Sequence, residues 1–223
     1  SYSVTGVQTC ALPILILTAS MPFDDVDAIE KLITNYQTSF GWSVLPAYIK
    51  TARGIIPKGQ TGKLIGLVGY PSGGVSTRTK VNEVRDMVYE GADAFHLVVN
   101  TGFVLSGNWD DIQCEILAVV KSAGERPVSL ILESAYLSDP QIMRLINNCV
   151  EVGIQSIGTS TGWLPMNPDV EQIKRISEMV YGRMQIMAAG VVNFDQVNEF
   201  LEAGVDQVII RQQHAEAILA QVV

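Results

Sequence analysis

Gly91-Ala92-Asp93-Ala94-Phe95-His96-Leu97-Val98-Val99-Asn100 reads as a buried strand entered from a helix. Between Asp93 and Asn100 the run is apolar apart from His96, as expected of a parallel-sheet strand covered on both faces. Alternation divides it: Phe95, Leu97 and Val99 suit the side packed against helices, which turns Ala94, His96, Val98 and Asn100 the other way. Ahead of it, Val81, Val84 and Val88 stand at i, i+3 and i+7 and predict an amphipathic helix. A helix leading into a strand buried on both sides is the repeating unit of an α/β fold.

The same unit recurs along the chain. Candidate strands centre on Leu15–Thr18, Trp42–Leu45, Leu64–Val68, Ala94–Val99, Val128–Leu132, Ser156–Gly158, Gln185–Met187 and Gln207–Ile210. Between them Ile29, Leu32, Ile33 and Tyr36 share one helical face. Asn167-Pro168 predicts an N-cap with proline at the first helical position, ahead of Val170, Ile173 and Ile176. Asn193 predicts the cap of a helix presenting Phe194, Val197 and Leu201. Eight such units predict a single-domain, closed (β/α)8 TIM barrel over residues 15–223. A doubly wound open sheet is the alternative, but no G-x-G-x-x-G follows an early strand.

Composition narrows the function classes. A length of 223 residues suits one such barrel, and 48% hydrophobic with 17% charged residues describes an ordered globular protein. The net charge of −8, with no basic run, argues against nucleic-acid and membrane-surface partners. An anionic ligand would therefore need donors supplied locally. No apolar stretch approaches the ~20 residues of a membrane span. The segment from Val4 to Ile14 resembles a translated sequencing-adapter oligonucleotide, so residues 1–14 are treated as non-native, with the native start and any targeting segment lost. Setting Cys10 aside leaves Cys114 and Cys149 in helical patterns without ligand spacing, expected as buried free thiols in a reducing, cytoplasmic setting.

Several polar residues fall at positions where barrels do chemistry. In the fifth strand Val128, Leu130 and Leu132 face outward, leaving Ser129, Ile131 and Glu133 inside. Asn100 and Glu133 then lie inward near strand C-terminal ends. Either is a catalytic candidate, or a polar residue satisfied by neighbouring backbone. His96 is expected as a general acid or base oriented by Glu133 from the adjacent strand, the alternative being a structural, hydrogen-bonded histidine. His214 falls in the last helical pattern and is expected to be exposed. Two histidines with few inward carboxylates argue against a metal site, and no cofactor motif is present.

The order of motifs resembles the deoxyribose-phosphate aldolase family from Leu15 onward. Gly69-Tyr70-Pro71-Ser72-Gly73-Gly74 followed by Thr77-Arg78-Thr79-Lys80-Val81 is similar to that family's loop and helix start after the third strand. Glu90-Gly91-Ala92-Asp93, Val99-Asn100-Thr101-Gly102 and Ser106-Gly107-Asn108-Trp109-Asp110 continue the match. Leu132-Glu133-Ser134-Ala135-Tyr136-Leu137-Ser138-Asp139 resembles the family's fifth-strand exit, and Thr159-Ser160-Thr161-Gly162 its sixth. Each motif alone is weak; their order and spacing together are specific.

The resemblance implies a Schiff base on a sixth-strand lysine, assisted by a seventh-strand lysine and a fourth-strand aspartate. Here those positions hold Gly158, Met187 and His96. The lysines, Lys31, Lys50, Lys58, Lys63, Lys80, Lys121 and Lys174, all map to helices or connections, with Lys80 expected in a surface or ion-pair role. The resemblance also implies a phosphate site of small residues after strands six to eight. Thr161, Gly162 and Gly190, beside Ala189, keep that character, whereas the eighth strand offers Ile209, Ile210, Arg211 and Gln212. Arg211 is read as an anion-binding fork or as a solvated helix-start arginine. Trp163 is read as covering a ligand or packing its loop.

Three functions follow as expectations. The first is a divergent barrel binding a small, anionic sugar or carbonyl compound that is phosphorylated in one version, with His96/Glu133 acid–base chemistry in place of an imine. The second is a non-catalytic paralogue serving as ligand sensor or assembly subunit, a pseudoenzyme. The third is retained lyase activity. A homo-oligomer stays open in all three.

Overall fold

The computed structural model describes residues 15–37 and 39–221. The adapter-like segment 1–14, Cys10 included, lies outside the described residues. Eight strands, β1 (Leu15–Ala19), β2 (Gly41–Val44), β3 (Lys63–Val68), β4 (Ala94–Val98), β5 (Val128–Ile131), β6 (Ser156–Gly158), β7 (Gln185–Ala188) and β8 (Gln207–Arg211), fall within one residue of the sequence expectation at each end. Each pairs in parallel with the next, and β8 returns to β1 through Leu15↔Val208 and Thr18↔Arg211. That closure makes a (β/α)8 barrel and rules out the doubly wound sheet.

The helices are α1 (Val26–Asn35), α2 (Ile49–Ile55), α3 (Thr77–Glu90), α4 (Thr101–Ser106), α5 (Trp109–Ala123), α6 (Asp139–Glu151), α7 (Val170–Val180), α8 (Phe194–Glu202) and α9 (Gln212–Leu219). Side-chain alternation sorts the core into two bodies. Phe95, Leu97, Val99, Leu130 and Leu132 join the helix faces outside the barrel. Ile16, Ile65, Ala94, Val98, Ile131, Met187, Ala189 and Ile209 fill its interior. Acidic residues entering the strands help fix the sheet: Asp93 Oδ2 accepts the Leu64 N–H at 2.9 Å and Asp206 Oδ2 the Ile186 N–H at 2.8 Å.

Local chemistry revises several expectations. Helix α7 is capped by Asp169, whose side chain accepts the Gln172 N–H, and not by Asn167. A cap must accept from a first-turn N–H, and Asn167 Oδ1 instead accepts the Ser160 hydroxyl at 3.2 Å. Asn193 caps α8 as expected. Cys149 is buried, its thiol pushed up to about 12 by burial, but Cys114 is exposed on α5. Lys63 opens β3, at the same parity as the interior Ile65, so one lysine does stand on a strand. Lys80 is fully buried, its Nζ 2.6 Å from Glu115 Oε1 and 2.9 Å from the Val98 carbonyl. His214 is half-buried and its ring meets the Gln213 amide at 2.9 Å.

Candidate functional site

The inward polar residues of β4 and β5 do not form one cluster. His96 pairs across the sheet with Ser129, and Val98 with Ile131. Glu133 is four residues beyond Ser129, a rise of roughly 13 Å at 3.3 Å per residue. The expected His96–Glu133 pair is therefore not formed. His96 is 3% exposed, and burial alone lowers its pKa from 6.5 to about 4, so the ring is neutral at physiological pH. Glu133 is held at the mouth: its Oε1 accepts the Thr161 N–H at 3.2 Å and the Thr161 hydroxyl. Its Oε2 is buried without a hydrogen-bond partner among the described residues, and burial raises the carboxyl above its usual range against the two Thr161 bonds. Asn100 caps α4, its Oδ1 accepting the Phe103 N–H at 3.2 Å. Its side chain meets backbone need, the structural alternative for this position.

The positions where an imine would form are apolar and filled. Ile131 pairs with Gly158 and Gly158 with Met187, placing the three in a row across β5, β6 and β7. A Cβ at Gly158 would lie 2.5 Å from Ile131 Cδ1, so the isoleucine occupies the space a side chain there would need. Met187 is 1% exposed. Lys80, the one fully buried amine among the described residues, is turned outward to Glu115 behind β4.

Above this row lies a ring of hydroxyls drawn from distant strand ends. Thr18 Oγ1 donates to the Ser43 carbonyl at 3.2 Å, and the Tyr70 hydroxyl reaches Ser20 Oγ at 3.2 Å and the Thr161 carbonyl at 3.4 Å. Tyr70 thus spans the mouth from the β1 loop to the β6 loop, with Trp163 set edge-on against it at 5.9 Å between ring centroids. Burial raises the Tyr70 hydroxyl, while the Ser20 bond and the Arg211 charge lower it. The space left among Thr18, Ser43, Tyr70, His96 and Ser160 is about 20 Å³, room for a single water.

Thr161, Gly162, Gly190 and Arg211 do converge on one side of this mouth. Gly162 and Gly190 have φ of +68° and +87°, and a Cβ on Gly162 would come within 3.2 Å of the Gly190 N, so the two loops touch. The Asn167 side chain packs directly over Gly190. Arg211, the last residue of β8 and the N-cap position of α9, donates to the Gly162 carbonyl and is half-buried, so it stands at a helix start without being fully solvated. Thr18, Ser20, Ser43, Tyr70 and Asn167 carried no sequence signal of a shared site. Tyr70 sat in a family-like motif, where the positive φ of Gly69 turns the chain back over the barrel, and Asn167 in a helix-cap signal.

Comparison with known proteins places the chain among relatives. No family model matches it. It is 39% identical over 168 residues to a deoxyribose-phosphate aldolase of Klebsiella pneumoniae, covering 74% of this chain and 67% of that protein. It is 33% identical over 178 residues to the enzyme of that name from Rhizobium meliloti, covering 79% and 72%. The Staphylococcus carnosus protein is 30% identical over 194 residues, covering 86% and 88%. Among solved structures, an aldolase superposes with a TM-score of 0.88 at 24% identity over 96% of both chains. A tetrameric deoxyribose phosphate aldolase from Aeropyrum pernix gives 0.85 at 20% identity, over 94% of this chain and 89% of that one. The structural likenesses bear out the barrel, and the sequence identities, spread over most of its length, mean that the chain belongs to the deoxyribose-phosphate aldolase family.

Proposed function

We propose that this family member binds a small, anionic sugar or carbonyl compound at the C-terminal mouth of the barrel without forming a Schiff base. The row Ile131–Gly158–Met187 carries the reading. Only a primary amine can condense with a carbonyl and act as electron sink, and these side chains supply none. Family membership favours a phosphorylated sugar as the ligand type. Arg211 offers a guanidinium beside the backbone of Gly162 and Gly190, a donor set for phosphate or carboxylate against an overall charge of −8. Entry requires Tyr70 to release Ser20 and Thr161, two long and weak hydrogen bonds.

Acid–base turnover by His96 and Glu133 loses ground to the non-catalytic reading, as ligand sensor or assembly subunit. The two groups stand apart along the strands, and a histidine with a pKa of about 4 is a poor base near neutrality. Retained lyase activity rests on family membership, which does not by itself establish chemistry.

Two measurements with 2-deoxyribose 5-phosphate test the proposal. Borohydride trapping should leave no adduct on Lys63, the lysine carried by a described β-strand, or on buried Lys80; an adduct at either that depends on both the sugar phosphate and borohydride defeats the reading. Calorimetry should detect binding that Arg211→Ala weakens by roughly 1.5–3 kcal/mol, the range for a charged hydrogen bond. Unaltered affinity in that variant returns Arg211 to a purely loop-bracing role.

A further inference from the structure

Below His96 the barrel is hollow. A cavity of about 350 Å³ opens on the N-terminal face and runs inward to the His96 ring. Its origin is legible in the inward residues of three consecutive strands, Ala94, Ser129 and Ser156, all too small to fill the lowest layer. Large apolar side chains, Ile65 on β3 and Met187 on β7 flanking these strands and Ile16 on β1, wall the rest of it.

We infer that this floor cavity is a second ligand site, distinct from the mouth, that takes a small uncharged polyhydroxyl compound. The walls supply both halves of such recognition. The Ser129 and Ser156 hydroxyls lie 2.6 Å apart across β5 and β6, and the amides of Gln185 and Gln207 line the same space, Gln207 only 7% exposed. Hydroxyl and amide groups both donate and accept, as a polyol requires. The His96 ring at the inner end is neutral and offers one donor and one acceptor. The two serines hydrogen-bond each other, and a ligand's hydroxyls would exchange into that pair. The apolar wall suits the C–H faces of the same molecule. The polar groups of the interior, the two serines, the Gln207 amide and the His96 ring, are uncharged, which suits an uncharged ligand; the charged Lys63, Glu125 and Arg126 also line the space, with Arg126 Nε held by the Ala92 carbonyl at 2.9 Å.

The test is an amide-shift titration of the full 223-residue chain, ¹⁵N-labelled, with erythritol and with 2-deoxyribose. Saturable shifts are expected at Ser129, Ser156 and Gln207, and none at Gly162 or Gly190 in the mouth. Ser156→Leu, which fills the cavity, should abolish saturation. Ser129→Ala, a variant that keeps the fold, should weaken it about fivefold, as for one neutral hydrogen bond. The inference is overturned by a lack of saturation well above about 1 mM, or by saturation unaffected in both variants. It is overturned equally by contacts showing that another part of the chain occupies the space.

Discussion

Lys80 and His96 are two nitrogen bases sealed in the same protein, on opposite sides of β4, and their surroundings could hardly differ more. Lys80 lies between α3 and α5 with a carboxylate at 2.6 Å and a backbone carbonyl at 2.9 Å. Burial pulls its amine down and pushes Glu115 up, and each is countered by the other's charge. His96, in the barrel, has only burial acting on it. Charge is thus admitted to this interior where a partner is built beside it and refused where none is. The barrel lumen, the place where the family's amines would stand, belongs to the second kind.

Breaking the paired region should have the larger effect. Lys80→Met leaves Glu115 buried without its counter-charge and is expected to cost about 3–5 kcal/mol in denaturant unfolding. Replacing both partners, Lys80→Met with Glu115→Leu, should return most of that loss, because no orphan charge remains. A double variant as unstable as the single one would mean that the pair is held for its shape and not for charge balance.

The unpaired base gives a pH signature. In the unfolded chain His96 takes a proton near 6.5, in the folded protein only at about 4. Between these values the unfolded state binds more protons, so stability falls as pH is lowered through the window and is not eroded further by this group below it. Integrated, the depression is worth about 3 kcal/mol. His96→Gln should flatten the slope between pH 6.5 and 4, measured as urea midpoints across pH. Glu133 acts with opposite sign, its raised pKa costing stability as pH rises past the usual carboxylate range. A wild-type slope that survives in His96→Gln would assign it to other groups.

The contrast between the two regions also marks how far the sequence could be read. All eight strands were legible, because alternation of apolar residues records which face is covered. Register was not: whether His96 meets Ser129 or Glu133 depends on the stagger of a closed barrel, which no local pattern encodes. Lys63 looked like loop because a charge at a strand start resembles a connection, yet its parity is that of Ile65. The hydroxyl ring escaped notice because Thr18, Ser20, Ser43 and Tyr70 come from three strand exits, each unremarkable alone. The absent amines, by contrast, were visible at once, since Gly158 and Met187 sit in otherwise family-like surroundings.

The smallest effect expected is also the most direct probe of the lumen. Gly158→Lys brings an amine back to β6, where its Cβ would meet Ile131 Cδ1 at 2.5 Å. The obstruction is the tip of a flexible side chain, so Ile131 can turn aside, and the cost should be that of overpacking, about 1–3 kcal/mol. Adding Ile131→Ala makes room for the lysine and should recover part of it. The introduced amine has apolar Met187 for a neighbour and no carboxylate built for it, so its pKa should fall below that of an ordinary lysine. A depressed amine is the nucleophilic form that imine chemistry needs. Borohydride trapping with 2-deoxyribose 5-phosphate should then label residue 158 in the double variant and leave the parent unlabelled at any interior position. Labelling of the parent would show that an amine already serves the lumen; a stable, unlabelled double variant would place the block at ligand entry past Tyr70.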